Sequence, residues 1–288
     1  MPVSRPCCAP WLLLLGALAL GGSPSAAQEP GAEAAVDRGE DRAFAIARAS
    51  IAHVAAQPRF GFRWFVSYDE VLAGREKLTF VISGENVMDR AAGFLSHTER
   101  ADGERDYYYD GAVFTIAAPD EDFYADMPFE GGFDALVETV RERTGTVLPI
   151  WSMMSETLPE RLFEETEGAA YLGVTRIAGQ EAHHLAFTTY EEDWQLWVST
   201  DEAAPWPLML IGTETSLQGW PQYRVYFQDW TATPEIDPAA FVFAPDEDDI
   251  RVALPSPGPR SESRLSAGGG LEAQEGAADD AGAEGEGQ

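Results

Sequence analysis

Tyr107, Tyr108 and Tyr109 form one run that ends in Asp110-Gly111 and continues as Val113, Phe114 and Ile116. Asp-Gly between two β-prone runs is a strong hairpin signal, because glycine takes a positive φ at almost no steric cost. Side chains alternate across a strand, so Tyr107 and Tyr109 share one face and Tyr108 takes the other. Large aromatics on both faces cannot all be left to water. The hairpin therefore belongs inside a larger antiparallel sheet with something covering each side.

The flanking sequence supplies that sheet. Phe60, Phe62, Trp64, Val66 and Tyr68 alternate with Gly61, Arg63, Phe65 and Ser67, which is a strand with an aromatic face. Ala73-Gly74 turns the chain into Lys77–Ile82. Phe94–Glu99 follows, turned by Ala101-Asp102-Gly103-Glu104 into the tyrosine hairpin. Further strands are expected at Ala170–Val174, Ala182–Phe187, Trp194–Val198, Trp206–Ile211 and Tyr223–Trp230, with a last short one at Phe241–Phe243.

Helical spacing appears twice. Phe44, Ala47, Ile51, Val54 and Ala55 make an apolar stripe over 41–56, which Pro58 ends. Phe133, Leu136, Val137 and Val140 recur at the same period, with Gly145 as the cap. Trp151, Met153 and Met154 follow, then a short helix near Pro159–Glu165. Residues 131–167 read as a helical insertion between two sheet segments, with a soft apolar surface suited to methionine.

The ends read differently. Arg5, the apolar run Trp11–Leu20 and the small residues Ser25-Ala26-Ala27 describe a secretory signal peptide over 1–27, too short for a membrane span. Cys7 and Cys8 precede its apolar core, so lipidation is not expected, and the mature chain would carry no cysteine, disulfide or thiolate. Residues 28–40 form an Ala/Glu-rich linker, 41–254 one domain, and 255–288 an acidic tail poor in large apolar residues, expected to be disordered. No other stretch reaches spanning length. The expected product is exported and soluble. A formal net charge of −30 disfavours nucleic acid, whose phosphates need clustered Lys and Arg.

Catalytic patterns are sparse. His183 and His184 point to opposite faces of one strand and cannot share a metal, and His53 and His97 are isolated. There is no Gly-x-Ser-x-Gly, and Ser83-Gly84 does not supply that frame. Asp120-Glu121-Asp122 lacks the Gly and closing Glu of an EF-hand loop and reads as a turn, as does Glu191-Glu192-Asp193. Gly268-Gly269-Gly270 lies in the tail without the strand and helix of a phosphate loop. No cofactor, metal or catalytic residue is expected.

Several short motifs carry a resemblance. Tyr109-Asp110-Gly111 with Phe114-Thr115 and Pro119, Tyr124-Ala125, Leu148-Pro149, His184 with Phe187, Asp193-Trp194-Gln195-Leu196-Trp197, Pro207, and Pro221-Gln222-Tyr223 follow one another from Phe44 to Leu254. In their order and spacing the chain resembles the predicted periplasmic proteins grouped as domain of unknown function 2092. Its element order resembles the lipoprotein-carrier (LolA/LolB-like) fold. The resemblance implies a mainly β fold: a curved antiparallel half-barrel with helices covering the concave face. It implies no catalytic residue.

Such a half-barrel can leave an apolar cavity. The candidate lining set is Trp64, Tyr107, Tyr109, Phe114, Trp151, Met153, Met154 and Trp197, while the alternation alone leaves open which tyrosine face is inside. The leading expectation is a non-enzymatic protein holding a hydrophobic small molecule or lipid. An envelope scaffold with a filled core is the alternative, and a hydrolase using His184 a weaker one.

Overall fold

The computed structural model describes residues 39–72, 76–144 and 149–254. The signal segment, most of the linker, the acidic tail, the Ala73-Gly74 turn and the Gly145 cap lie outside the described residues.

Helix α1 (Glu40–Ala55) buries Ala43, Ala47, Ser50, Ile51 and Val54, one stripe at helical spacing. It stops where Pro58 disfavours a further helical residue. Strands β1 (Arg59–Val71), β2 (Lys77–Asp89), β3 (Gly93–Arg100), β4 (Gly103–Tyr109), β5 (Val113–Ala118) and β6 (Phe123–Pro128) form a first meander. Helices α2 (Phe133–Thr144), α3 (Pro149–Ser152) and α4 (Leu158–Arg161) follow. A second meander runs through β7 (Gly168–Ile177), β8 (Gln180–Thr188), β9 (Glu192–Ser199), β10 (Pro207–Glu214) and β11 (Gln222–Thr231), and β12 (Ile250–Arg251) closes the described chain.

The strands make one sheet in the order β12-β6-β5-β4-β3-β2-β1-β11-β10-β9-β8-β7. The two meanders join because β1 pairs with β2 on one side and with β11 on the other. The sheet does not close on itself, so the architecture is the expected half-barrel. Its edges are β7, where Gly173 at φ +102° accompanies a register shift, and the two-residue β12. A bulged edge and a very short one both discourage pairing with another chain.

Three strand expectations need correction. β2 does not stop at Ile82 but runs on through Gly84 to Asp89. Glycine is required there, because an added Cβ would lie 2.0 Å from the His97 carbonyl oxygen and 2.7 Å from Trp64 Cζ2. Phe241–Phe243 is not a strand. Residues Pro238–Phe241 form a 3-10 turn, whose first N–H groups are served by the Asp237 carboxylate accepting from the Ala239 amide. The true last strand, β12, pairs with β6 in parallel, so the sheet is mixed.

One face of the sheet holds the main core. Phe60, Phe62, Trp64, Val66 and Tyr68 from β1 point inward with Phe94, Tyr107, Tyr109, Phe114, Tyr223, Val225 and Phe227 from neighbouring strands. Ile51 and Val54 of α1, Leu136 and Val140 of α2, and Ile150 and Trp151 of α3 cover them. The rest of α1 packs Ala43 and Ala47 over Leu185, Phe187, Trp194 and Leu196 of the second meander. The opposite face is covered locally. Phe243, just after the 3-10 turn, lies 5.3 Å from the Tyr108 ring and 5.0 Å from that of Tyr124. The tyrosine hairpin thus has its two covered faces.

Candidate functional site: the helix-covered interior

The hairpin at the heart of the site is built by its turn. Asp110 accepts hydrogen bonds from the amides of Ala112 and Val113, at 2.9 and 2.8 Å, and Gly111 takes φ +90°. That register places Tyr109 opposite Phe114 and Tyr107 opposite Ile116. Tyr107 and Tyr109 turn inward and Tyr108 outward, which decides the alternation left open by the sequence.

Trp151 is the centrepiece. It stands edge-on to Phe94 at 5.2 Å, to Tyr107 at 5.1 Å and to Phe114 at 6.1 Å between ring centroids. Burying an indole removes roughly 150–250 Å² from water. At ~25 cal/mol per Å² that is an upper bound of roughly 4–6 kcal/mol. Among the described residues the Trp151 indole N–H has no partner, which costs about 1–3 kcal/mol. Burial wins, so the ring stays seated, but with a polar debit. Met153 and Met154 flank it in the same core.

Side chains of the sheet tie the cover down. The Tyr109 hydroxyl donates to the Gly131 carbonyl at 2.8 Å, just ahead of α2. Arg90, in the β2–β3 turn, donates to the carbonyls of Gln57 at 2.9 Å and Met154 at 3.1 Å, and its ring neighbour is Phe60 at 5.3 Å. One side chain therefore holds the end of α1 and the chain beyond α3 together. Between α1 and the second meander, Phe163 packs on Phe44 at 5.4 Å and Phe187 at 5.6 Å.

The interior has a polar row that the sequence reading missed. Asn86 and Ser96 face each other across β2 and β3, both fully buried. Asn86 Oδ1 accepts from the Trp64 indole at 3.2 Å and from Ser96 Oγ at 2.7 Å. Thr98 and Arg105 form the next pair across β3 and β4. Arg105 donates through Nη2 to Glu121 at 2.9 Å and lies 3.8 Å from Asp120, so the Asp120-Glu121-Asp122 run serves a buried cation. The missed signal was inward-facing parity: Gly84 and Asn86, then Ser96 and Thr98, break the apolar alternation of their strands.

Burial pushes the Tyr107 and Tyr223 hydroxyls up from the ordinary tyrosine value. On the outer face Tyr108 is pushed up to about 12, by burial and then by Asp106. Asp106 also pairs with His97, Nδ1 to Oδ1 at 2.6 Å. Burial there lowers the His97 pKa, but the Asp106 hydrogen bond and charge, with Glu104 and Glu99, outweigh it and leave it raised.

Seven of the eight candidate residues come together: Trp64, Tyr107, Tyr109, Phe114, Trp151, Met153 and Met154 share the main core. Trp197 does not. It stacks on His184 across β8 and β9, ring centroids 4.2 Å apart, on the opposite face with Met209. The reason is the strand period: Trp194, Leu196 and Val198 point inward, so Trp197 cannot. His184 Nε2 is 2.9 Å from Gln195 Oε1, and His183 Nδ1 is 3.2 Å from the Tyr171 hydroxyl, on the two faces as expected. A cleft of about 230 Å³ lies away from the tyrosine hairpin, between Arg63, Asp229 and Leu208. Among the described residues no three His, Cys, Asp or Glu side chains are grouped to hold a metal, and no helix is long and apolar enough to cross a membrane.

The family model described as a predicted periplasmic protein, DUF2092, matches residues 43–254. The chain belongs to that family. The match runs from α1 to the end of the described chain, so it takes in both meanders and the helical cover. No curated protein matches. Among solved structures, lipoprotein LppX from Mycobacterium tuberculosis is similar at 11% identity and a TM-score of 0.44, over 68% of this chain and 99% of that one. LprF from Mycobacterium bovis is similar at 9% identity and 0.44, over 68% and 96%. A LolA superfamily protein from Nitrosomonas europaea is similar at 10% identity and 0.33, over 70% and 97%.

Proposed function

We propose that this family member is a non-enzymatic binding protein that takes a hydrophobic ligand, an acyl chain or lipid, between the concave face and the cover formed by α2 and α3. The observation that carries the reading is the Trp151 seat. An aromatic box of Phe94, Tyr107 and Phe114 is filled by one side chain on a four-residue helix. Such a short helix has little stability of its own. Displacing it would open an apolar space without unfolding the sheet, and Met153 and Met154 would adapt to what enters.

The family's description as periplasmic supports action in that compartment after export through the 1–27 segment. The domain is then 41–254, with 131–167 as the inserted cover. Native mass spectrometry of the gently purified chain, followed by titration with a fluorescent fatty-acid probe, tests the reading. Co-purifying lipid or saturable probe uptake is expected. A ligand-free chain that takes up no probe favours instead a scaffold whose core is permanently filled by Trp151.

A further inference from the structure

The concave face is not uniformly greasy, and its polar atoms are left short of partners. Asn86 is oriented by its neighbours. The Trp64 indole N–H can only donate, so the atom facing it is the Asn86 oxygen, and the amide nitrogen points elsewhere. Among the described residues, that Nδ2 has no hydrogen-bond partner, nor do Thr98 Oγ1 and Arg105 Nε. The residues concerned are 0, 2 and 4% exposed, so water does not reach them from outside.

The residues that carry them are neighbours on one face of β2, β3 and β4. Ser96 lies opposite both Asn86 and Tyr107, and Thr98 lies opposite Arg105. Opposed residues on antiparallel strands hold their Cβ atoms about 4.5–5.5 Å apart. Two of the three are obligate donors, and the threonine hydroxyl can donate as well. Buried polar groups in native proteins are satisfied by protein, ordered water or ligand, and a row of donors without a protein partner is a place where a ligand's acceptor would be held.

We infer that this patch is a headgroup site: the interior takes an amphiphile whose head accepts hydrogen bonds, the carboxylate or ester carbonyl of an acyl lipid, with its tail among the aromatics. The inference rests on the binding function proposed above and adds the ligand's polar end. Arg105 is already paired with Glu121, so a neutral carbonyl is as acceptable to the patch as an anion.

Displacement of a fluorescent fatty-acid probe from the full chain by palmitate, methyl palmitate and hexadecane tests it. Palmitate or its ester should displace the probe at least about tenfold more effectively than hexadecane, because donors left facing hydrocarbon reject it. Palmitate ahead of its ester identifies a carboxylate, and equality a carbonyl. Thr98→Val should keep the melting temperature of the free chain, since the hydroxyl has no partner to lose, yet weaken palmitate and leave hexadecane unchanged. Arg105→Lys, which keeps a positive charge beside Glu121 but removes the Nε donor, gives the same comparison if Thr98→Val does not fold. Hexadecane matching palmitate, with both variants unaffected, overturns the headgroup site while the apolar binding function stands. A chain that binds no probe at all removes that function and the site with it.

Discussion

Trp151 stands edge-on to Tyr107, with ring centroids 5.1 Å apart and planes at 89°. One ring belongs to the cover and the other to the sheet, so this contact joins the two layers of the fold. Trp151→Ala should cost about 3–5 kcal/mol of stability, the usual range for emptying a buried aromatic site. Trp151→Phe should cost much less, because it also removes an unpartnered N–H. Urea denaturation of both variants checks the ordering.

Trp64 crosses Gly84, and the strand beyond presses from the other side. The contacts an added methyl would make include a carbonyl oxygen, which has no rotamer to escape into. Gly84→Ala should therefore destabilise at or above the ~1–3 kcal/mol typical of overpacking. A thermal melt reads the loss. The same substitution at Gly132, where a Cβ would meet nothing within 4 Å, is the control.

Much of this was legible from the chain. The period-two run Phe60–Tyr68 identified β1 and its buried face, and the Asp110-Gly111 signal identified the hairpin, because turn chemistry and alternation are local. What local patterns missed came from long-range pairing. Nothing near Ile250 indicates a parallel strand, since β12 is defined by β6 more than a hundred positions earlier. Trp230 likewise faces inward, stacking on Phe62 at 4.2 Å, because Asp229 takes φ +52° and pairs with Arg63. Simple alternation from Phe227 would have put it outside. Trp197 is the opposite case: alternation already separated it from Trp194, and its placement in the candidate set ignored that count.

Arg90 holds α1 and the chain after α3 through backbone carbonyls. Arg90→Ala should release the cover before it unfolds the sheet. The expected result is a modest loss of stability, about 1–3 kcal/mol for orphaned carbonyls, together with faster hydrogen exchange in residues 149–161 than in β1. Uniform exchange throughout would show that cover and sheet open as one unit.

Two groups give stability opposite pH dependences. The folded His97 pKa is raised above 6.5, so its contribution is fully present below 6.5 and is lost as pH climbs through the folded value. The buried Asp69 is driven up by burial but more strongly down by Thr79, the Gln222 amide and Arg224, so its pKa falls below 3.8. Its contribution is present above 3.8 and is lost as pH falls through the folded value. Melting temperatures across pH should show His97→Asn converging with the parent on the alkaline side. Asp69→Asn should be destabilised near neutrality and converge with it in acid.

Under the proposed function, an apolar ligand enters the space under the cover in exchange for Trp151. Titration of the chain with a fluorescent fatty acid, following both probe emission and tryptophan emission, measures it directly. Saturable uptake is expected, with a change in tryptophan emission that Trp151→Phe diminishes, and with tighter uptake by Trp151→Ala, whose seat is already vacant. No saturable uptake by either the parent or Trp151→Ala would contradict it.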